Sequence, residues 1–178
     1  MALDGSKTLK ISNIALYTGP VGTEKPDDLG TIPPTWENVG HTSIQDLLSI
    51  ETEGGETTTL GSAQSAALRQ DTTDAVRSFV MNLLQWEDKT LQLFFGKNAT
   101  SDGKFFQPAE KPQPAEYAVL IVIEDGDFEF GIHAAKASFI GQGNLSLTDK
   151  NSLSQLPIRI TPLSHNNKKP FGIVLPAA

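Results

Sequence analysis

Two periodicities meet between Asp46 and Gly96, and together they limit the chain to a β-rich domain carrying one short helix. Leu48, Ile50 and Thr52 alternate with Ser49, Glu51 and Glu53, the period of two that marks a half-buried strand. Gly54-Gly55 follows where a tight two-residue turn needs positive φ, which glycine adopts at little cost. The threonine-rich run from Glu56 to Ser62 is predicted as the second arm of that hairpin, because β-branched side chains suit a pleated surface. Ala75 to Gln85 reads as one strand, longer than the average of about 5–6 residues. It passes directly into a predicted helix from Glu87 to Phe95. Glu87 and Asp88 fall in the first turn, where the helix dipole favours carboxylates, and Gly96 is placed as a left-handed cap. Leu91, Phe94 and Phe95 form its apolar stripe.

Around this stretch the chain alternates between strands and proline-rich loops. Residues 7–17 predict a first strand, and 18–45 a long loop with a proline-rich stretch that biases its neighbours toward extended backbone. Trp36 in that loop is expected as an anchor, either on its own domain or on a neighbour. A second loop, with Pro108, Pro112 and Pro114, follows the helix. Tyr117 to Ile123 is continuously apolar, so both faces of that strand are expected to be covered. Phe128, Phe130 and Ile132 are predicted to point inward and Glu129 and His133 outward. A short strand is expected at Leu145 and Leu147, and a last one at Leu156, Ile158 and Ile160. Pro157 lacks a ladder donor, which predicts an edge strand or one paired over part of its length. The reading is an antiparallel β-sandwich or barrel with one flanking α-helix. It forms a single domain over 1–178, with a C-terminal arm at 164–178 whose FGIVL segment is too apolar to be a solvated end.

Composition narrows the function. The net charge is −7, against the clustered lysine and arginine that hold nucleic acid by its phosphates. The charge is also uneven: acids crowd 110–130, whereas 150–178 carries Lys150, Arg159, Lys168 and Lys169 and no side-chain acid. Such asymmetry fits either solvated surface or complementary faces for self-association. The sequence contains no cysteine, which excludes disulfides and thiolate metal sites. No run approaches the 18 or so apolar residues of a membrane helix, and no signal-peptide core is seen, so assembly in a cytoplasm is expected.

Motifs for chemistry are missing. His41, His133 and His165 lack ligand-spaced partners, and Gly141 and Gly143 stand without the rest of a phosphate-binding loop. Asp125-Gly126-Asp127 suits a turn better than a calcium loop, and Ser43 has no nucleophile elbow. Glu51 and Glu53 share a strand face but have no evident neighbour to shift a pKa for acid–base work. The expectation is a protein that is not an enzyme and takes no cofactor or metal.

The order VGHTS, acidic strand, EGGE, second strand, long strand, and helix closing on LQLFFG resembles the major tail (tail tube) proteins of long-tailed bacteriophages, especially those of actinobacteria. The likeness is strongest over Trp36–Gly96. It implies a virion protein whose copies form six-membered rings that stack into a tube, through which DNA leaves without specific binding. Implied partners are the chain itself and the tape measure, terminator and distal tail proteins, with no membrane. On that basis Glu51, Glu53 and Glu56 are candidates for the channel lining. Trp36, Lys168, Lys169, Phe171, Ile173 and Leu175 are candidates for contacts between subunits, and the 18–43 loop and 171–178 tail are expected to become ordered only on assembly. The alternatives are another virion or secretion-tube subunit, such as a tail terminator or capsid decoration protein, and a cytoplasmic ligand-binding β-barrel. A deep pocket with convergent polar groups would favour the barrel.

Overall fold

The computed structural model describes residues 8–126, 128–145, 147 and 150–175. One antiparallel sheet holds most of the strands: β1 (Asn13–Gly19), β2 (Glu37–Asn38), β3 (Ser49–Gly54), β6 (Ala75–Leu83), β9 (Ala115–Asp125), β10 (Phe128–Gly141), β11 (Leu156–Pro162) and β12 (Gly172–Val174). Their order is β2-β1-β9-β10-β11-β6-β3, with β12 joining β10 off that path. β4 (Thr57–Ser62) pairs with β5 (Ser65–Thr72), and β7 (Thr100–Ser101) with β8 (Phe106–Gln107). The helix α1 (Asp88–Phe95) packs on β10 and β11. This is the expected mainly β, antiparallel architecture with one helix, consistent with a β-sandwich.

The sheet folds over because β10 changes partner along its length. Beside β9, its first half pairs with β12 at Gly131–His133 and its second half with β11 at Ala137–Gly141. A register shift between Ala134 and Ala137 marks the corner, as bulges do by adding local twist. Ile14 and Leu16 of β1 therefore share one buried cluster with Phe79, Met81 and Leu83 of β6, four strands away along the path. Leu93 and Phe94 close that core from the helix.

The apolar run in β9 is covered on both faces, as its lack of alternation implies. Val119, Ile121 and Ile123 enter the main core. Ala118, Leu120 and Val122 meet a second cluster with Leu29 and Trp36. The 18–45 loop is thus partly built into its own domain, with β2 pairing to β1 inside it. This corrects the expectation that the loop becomes ordered only in an assembly. The described part of the tail, residues 171–175, is corrected likewise: Ile173 pairs with Ile132, and the Phe171 ring meets Phe79 edge-on at 5.3 Å.

Other expectations change as well. Gly54 and Gly55 have φ of 77° and 72°, but they do not turn β3 back on β4. β3 pairs with β6, and stepping from Glu53 to Thr57 moves the partner from Val76 to Thr72 without loss of register. Gly55 N–H to Asp74 O (3.1 Å) and Thr73 N–H to Glu56 O (3.0 Å) carry the ladder across the glycines. The result is one long hairpin with a glycine kink, reversing at 62–65. A Cβ on Gly54 would lie 2.4 Å from the Asp74 carbonyl oxygen, so close approach explains the glycine. Of the two readings of Pro157, the edge is not found, since β11 pairs on both sides. Pairing over part of the length is found: the β10 ladder begins at Ile158 and leaves Leu156 and Pro157 paired with β6 alone. The Pro157 carbonyl accepts from Gln142 N–H at 2.8 Å, just beyond the last β10 pair at Gly141, so its missing N–H faces the place where that ladder has ended.

Gly96 has positive φ (97°) but an extended ψ (153°), so it is not a left-handed helical cap. A side chain there would strike Gln113 backbone at 2.8 Å. The helix is held at its other end by Glu87, the N-cap of a capping box with Thr90. Its most buried residues are Thr90, Leu93 and Phe94, with Leu91 and Phe95 half-buried, so the stripe centres one residue from where spacing placed it. Phe128 stands exposed at the start of β10 instead of pointing inward, because the strand begins beyond the core. The strand expected at Leu145 and Leu147 centres on residue 146, outside the described residues.

Candidate assembly surfaces

Alternation in β6 sends Phe79, Met81 and Leu83 into the core, which leaves Ser78 and Val80 on the opposite face. Glu51 lies opposite Ser78 on one flank of β6, and Arg159 lies opposite Val80 on the other. Arg159 reaches across the intervening strand. Its Nη2 donates to Glu51 Oε2 at 2.6 Å, and its Nη1 to Glu53 Oε1 at 3.1 Å and Ser78 Oγ at 3.3 Å. Gln142 Nε2 adds a 3.3 Å bond to the other Glu51 oxygen. Glu51 and Glu53 are therefore together on one face, as alternation predicted, but they are not a bare acidic wall. Two carboxylates share one guanidinium, leaving a single net negative charge. Glu56 is not brought to them; it lies past the glycine kink, its N–H donating to Thr73 Oγ1 at 3.0 Å.

Arg159 was the residue that sequence reasoning missed. The alternation of β11 already placed it on the face opposite Ile158 and Ile160. Its partners were not legible, because they lie 108 and 106 positions away and meet it only through the strand order.

The candidates for contacts between subunits divide. Trp36 is 5% exposed and packs on its own domain, its ring meeting His133 edge-on at 5.7 Å. His133 Nε2 donates to the Thr23 carbonyl at 2.9 Å, and burial holds its pKa below the ordinary 6.5. Lys168 Nζ lies 2.6 Å from Glu24, and that hydrogen bond lowers the glutamate's pKa below its usual value. Loop and tail are thereby clasped together on the face outside β9 and β10. Phe171 is half-buried against Phe79, and Lys169 is exposed beside it. Ile173 and Leu175 remain 58% and 75% exposed, the apolar part of the tail that no neighbour within the chain covers.

Two further features lie at the free side of the sheet. β3 ends the path of the sheet, so six residues present an unpaired backbone edge. Beyond it, β4 and β5 form a two-stranded arm whose residues are exposed apart from Ser65 at its tip. Two-stranded hairpins are marginally stable alone in water. Among the described residues, no group of three or more His, Cys, Asp or Glu is placed to hold a metal, and no helix is long and apolar enough to cross a membrane.

An open edge and a projecting arm are the marks of this antiparallel β-domain, and its relatives identify its class. The family model described as phage tail tube protein matches residues 1–176, and the chain belongs to that family. It is similar to major tail protein Gp23 of Mycobacterium phage D29, with 36% identity over 167 residues, covering 93% of this chain and 77% of that protein. Major tail protein Gp23 of Mycobacterium phage L5 matches with the same identity and coverage. The chain is thus a structural component of the phage tail and not an enzyme.

Proposed function

We propose that copies of this chain join side by side into rings, six to a ring, and that stacked rings form the hollow tube through which DNA leaves the virion. The observation that carries this is the open edge of β3, next to the face on which Glu51, Glu53 and Arg159 meet. A neighbour's strand added at that edge would satisfy backbone groups that one chain leaves open, and repetition around an axis would close the sheets into a continuous wall. The polar face would then turn to the channel. Its pairing of two carboxylates with one guanidinium gives a wall of weak negative charge. Such a wall repels phosphates only within about 8 Å at physiological salt, so DNA slides without being held.

The remaining partners follow from the position of a tail subunit: the tape measure inside the tube, the terminator and distal tail proteins at its ends. Assembly in the host cytoplasm, with no membrane involved, fits a chain without cysteine. Sedimentation of the purified protein tests the ring. A species six times the 19.2 kDa chain supports it. A protein that stays monomeric at high concentration in low and high salt contradicts it.

A further inference from the structure

Two cations beside the core have no counter-charge among the described residues. Of the three arginines, Arg69 pairs with Asp71, and Arg159 with Glu51 and Glu53. Arg77 is exposed and, among the described residues, makes no hydrogen bond or ion pair. Alternation in β6 puts it on the face of Phe79, whose ring meets Phe171 of the tail. Lys169 stands two residues before that ring and is likewise exposed and unpaired among the described residues. Val76, Arg77, Pro162, Lys169, Pro170 and Phe171 line a cavity of about 430 Å³, and no acid is among its lining residues. Apolar walls with two cations at the rim select a group that is apolar and negatively charged at once.

The turn from β9 to β10 presents such a group. It places Phe128 opposite Asp125, with the ring 43% exposed. Glu129 follows and stands directly across the ladder from Glu124. Like charges in that position repel, and among the described residues no ion pair relieves either of them. Glu124 is held only by the uncharged amide of Asn13, at 3.2 Å, and Asp125 accepts from the Lys10 backbone N–H at 2.8 Å. Five strand residues, roughly 17 Å, separate Phe128 from His133, which pairs with Gly172 next to Phe171. The turn therefore does not reach the pocket of its own chain. Acids without cations and cations without acids lie at two separate places on one molecule.

We infer that the pocket between Arg77 and Lys169 receives the β9–β10 turn of a second copy of the chain, with Phe128 in the cavity and Glu129 against the two cations. The planar guanidinium of Arg77 suits a carboxylate through two parallel hydrogen bonds, and Lys169 adds a point charge beside it. Pro170 and Phe171 supply the apolar surface that covers the incoming ring. Donor and acceptor are different patches, so the contact is heterologous, and each copy engages one neighbour through its turn and another through its pocket. The inference rests on the reading that copies of this chain assemble into a tube. It pairs the acid-rich segment of one copy with the cation-rich C-terminal region of the next.

Charge reversal followed by mixing tests the contact. One protein carries Arg77→Glu with Lys169→Glu, and the other Glu129→Lys. Each should keep the wild-type melting temperature, since the changed side chains lie outside the core, yet alone need about tenfold or more protein to assemble. Mixed in equal amounts they should assemble as wild type does, because every turn then meets a pocket of opposite charge. Variants that assemble unaided like wild type overturn the contact, as does a loss that mixing does not restore. A second measurement places single cysteines in a chain that has none. Glu129→Cys protein and affinity-tagged Lys169→Cys protein, assembled together and oxidised, should give a disulfide-linked pair, absent when Lys97→Cys replaces Lys169→Cys. Tubes that form without that crosslink overturn the contact and leave the tube reading in place. Wild-type protein that forms neither rings nor tubes overturns the tube reading, and this contact with it.

Discussion

The guanidinium of Arg159 lies 2.6 Å from the carboxylate of Glu51, although β6 runs between the strands that carry them. The bridge fixes the charge of the whole polar face, because Glu53 leans on the same guanidinium. If that face lines the channel, Glu51→Gln with Glu53→Gln changes it from one net negative charge per chain to one positive. The pair is partly exposed, so stability should fall by only about 1 kcal/mol or less. Tubes should form normally, and DNA release from such virions should slow as the wall begins to hold phosphates. Release at the wild-type rate would remove Glu51 and Glu53 from the wall, leaving the acids around Glu124 and Glu129 as the next segment to test.

Phe94 anchors the helix. It is 9% exposed and meets Phe95 edge-on at 4.8 Å, while a Cβ at Gly141 would lie 2.9 Å from its ring. An eight-residue helix does not hold itself in water, so packing supports it. Phe94→Ala should cost about 3–5 kcal/mol, lowering the melting temperature by roughly 10 °C. An unchanged transition would show that the ring is not part of the core.

His133 makes stability depend on pH within a defined window. Burial lowers its folded pKa below 6.5, so the folded chain binds fewer protons than the unfolded one once pH falls under that value. The neutral form is fully accommodated above 6.5, and stability falls as pH drops from there toward the lowered pKa. Glu24 moderates the shift, whereas Lys25 and Lys168 add to it. Denaturant titrations should be flat above neutrality and slope downward below 6.5, and His133→Gln should flatten that slope. A slope that survives the substitution assigns it to another group.

The tail should now matter before assembly begins. A chain ending at Asn167 loses β12, its pairing with Gly131–His133, and the Phe79–Phe171 contact. Phe171→Ala removes only the ring, at about 2 kcal/mol given its partial burial. Thermal unfolding separates this from a role confined to contacts between subunits: a melting temperature equal to wild type would place Phe171 outside the fold of the single chain.

Local patterns were legible where one strand or helix decides its own burial. Tyr117 to Ile123 announced its two covered faces because no polar residue interrupts it, and the helix was set by its acids and spacing, although Gly96 does not cap it in the left-handed conformation expected. What required partners was not legible. Gly54-Gly55 has the chemistry of a tight turn, and only the pairing of Glu53 with Val76 shows that the chain continues outward. Pro157 allowed an edge or a partly paired strand, and only the end of the β10 ladder at Gly141 decides for the second. Glu51 and Glu53 looked like free acids for the same reason: Arg159 reaches them through space, across a strand. Trp36 was readable as an anchor, but the surface it covers, Ala118, Leu120 and Val122, was fixed by the fold.

Electron microscopy of the purified wild-type protein tests the central claim most directly. The account predicts hollow filaments of stacked rings, each ring showing six subunits in end-on views. A field of compact single particles, at concentrations and salt conditions where the protein stays folded, would contradict it.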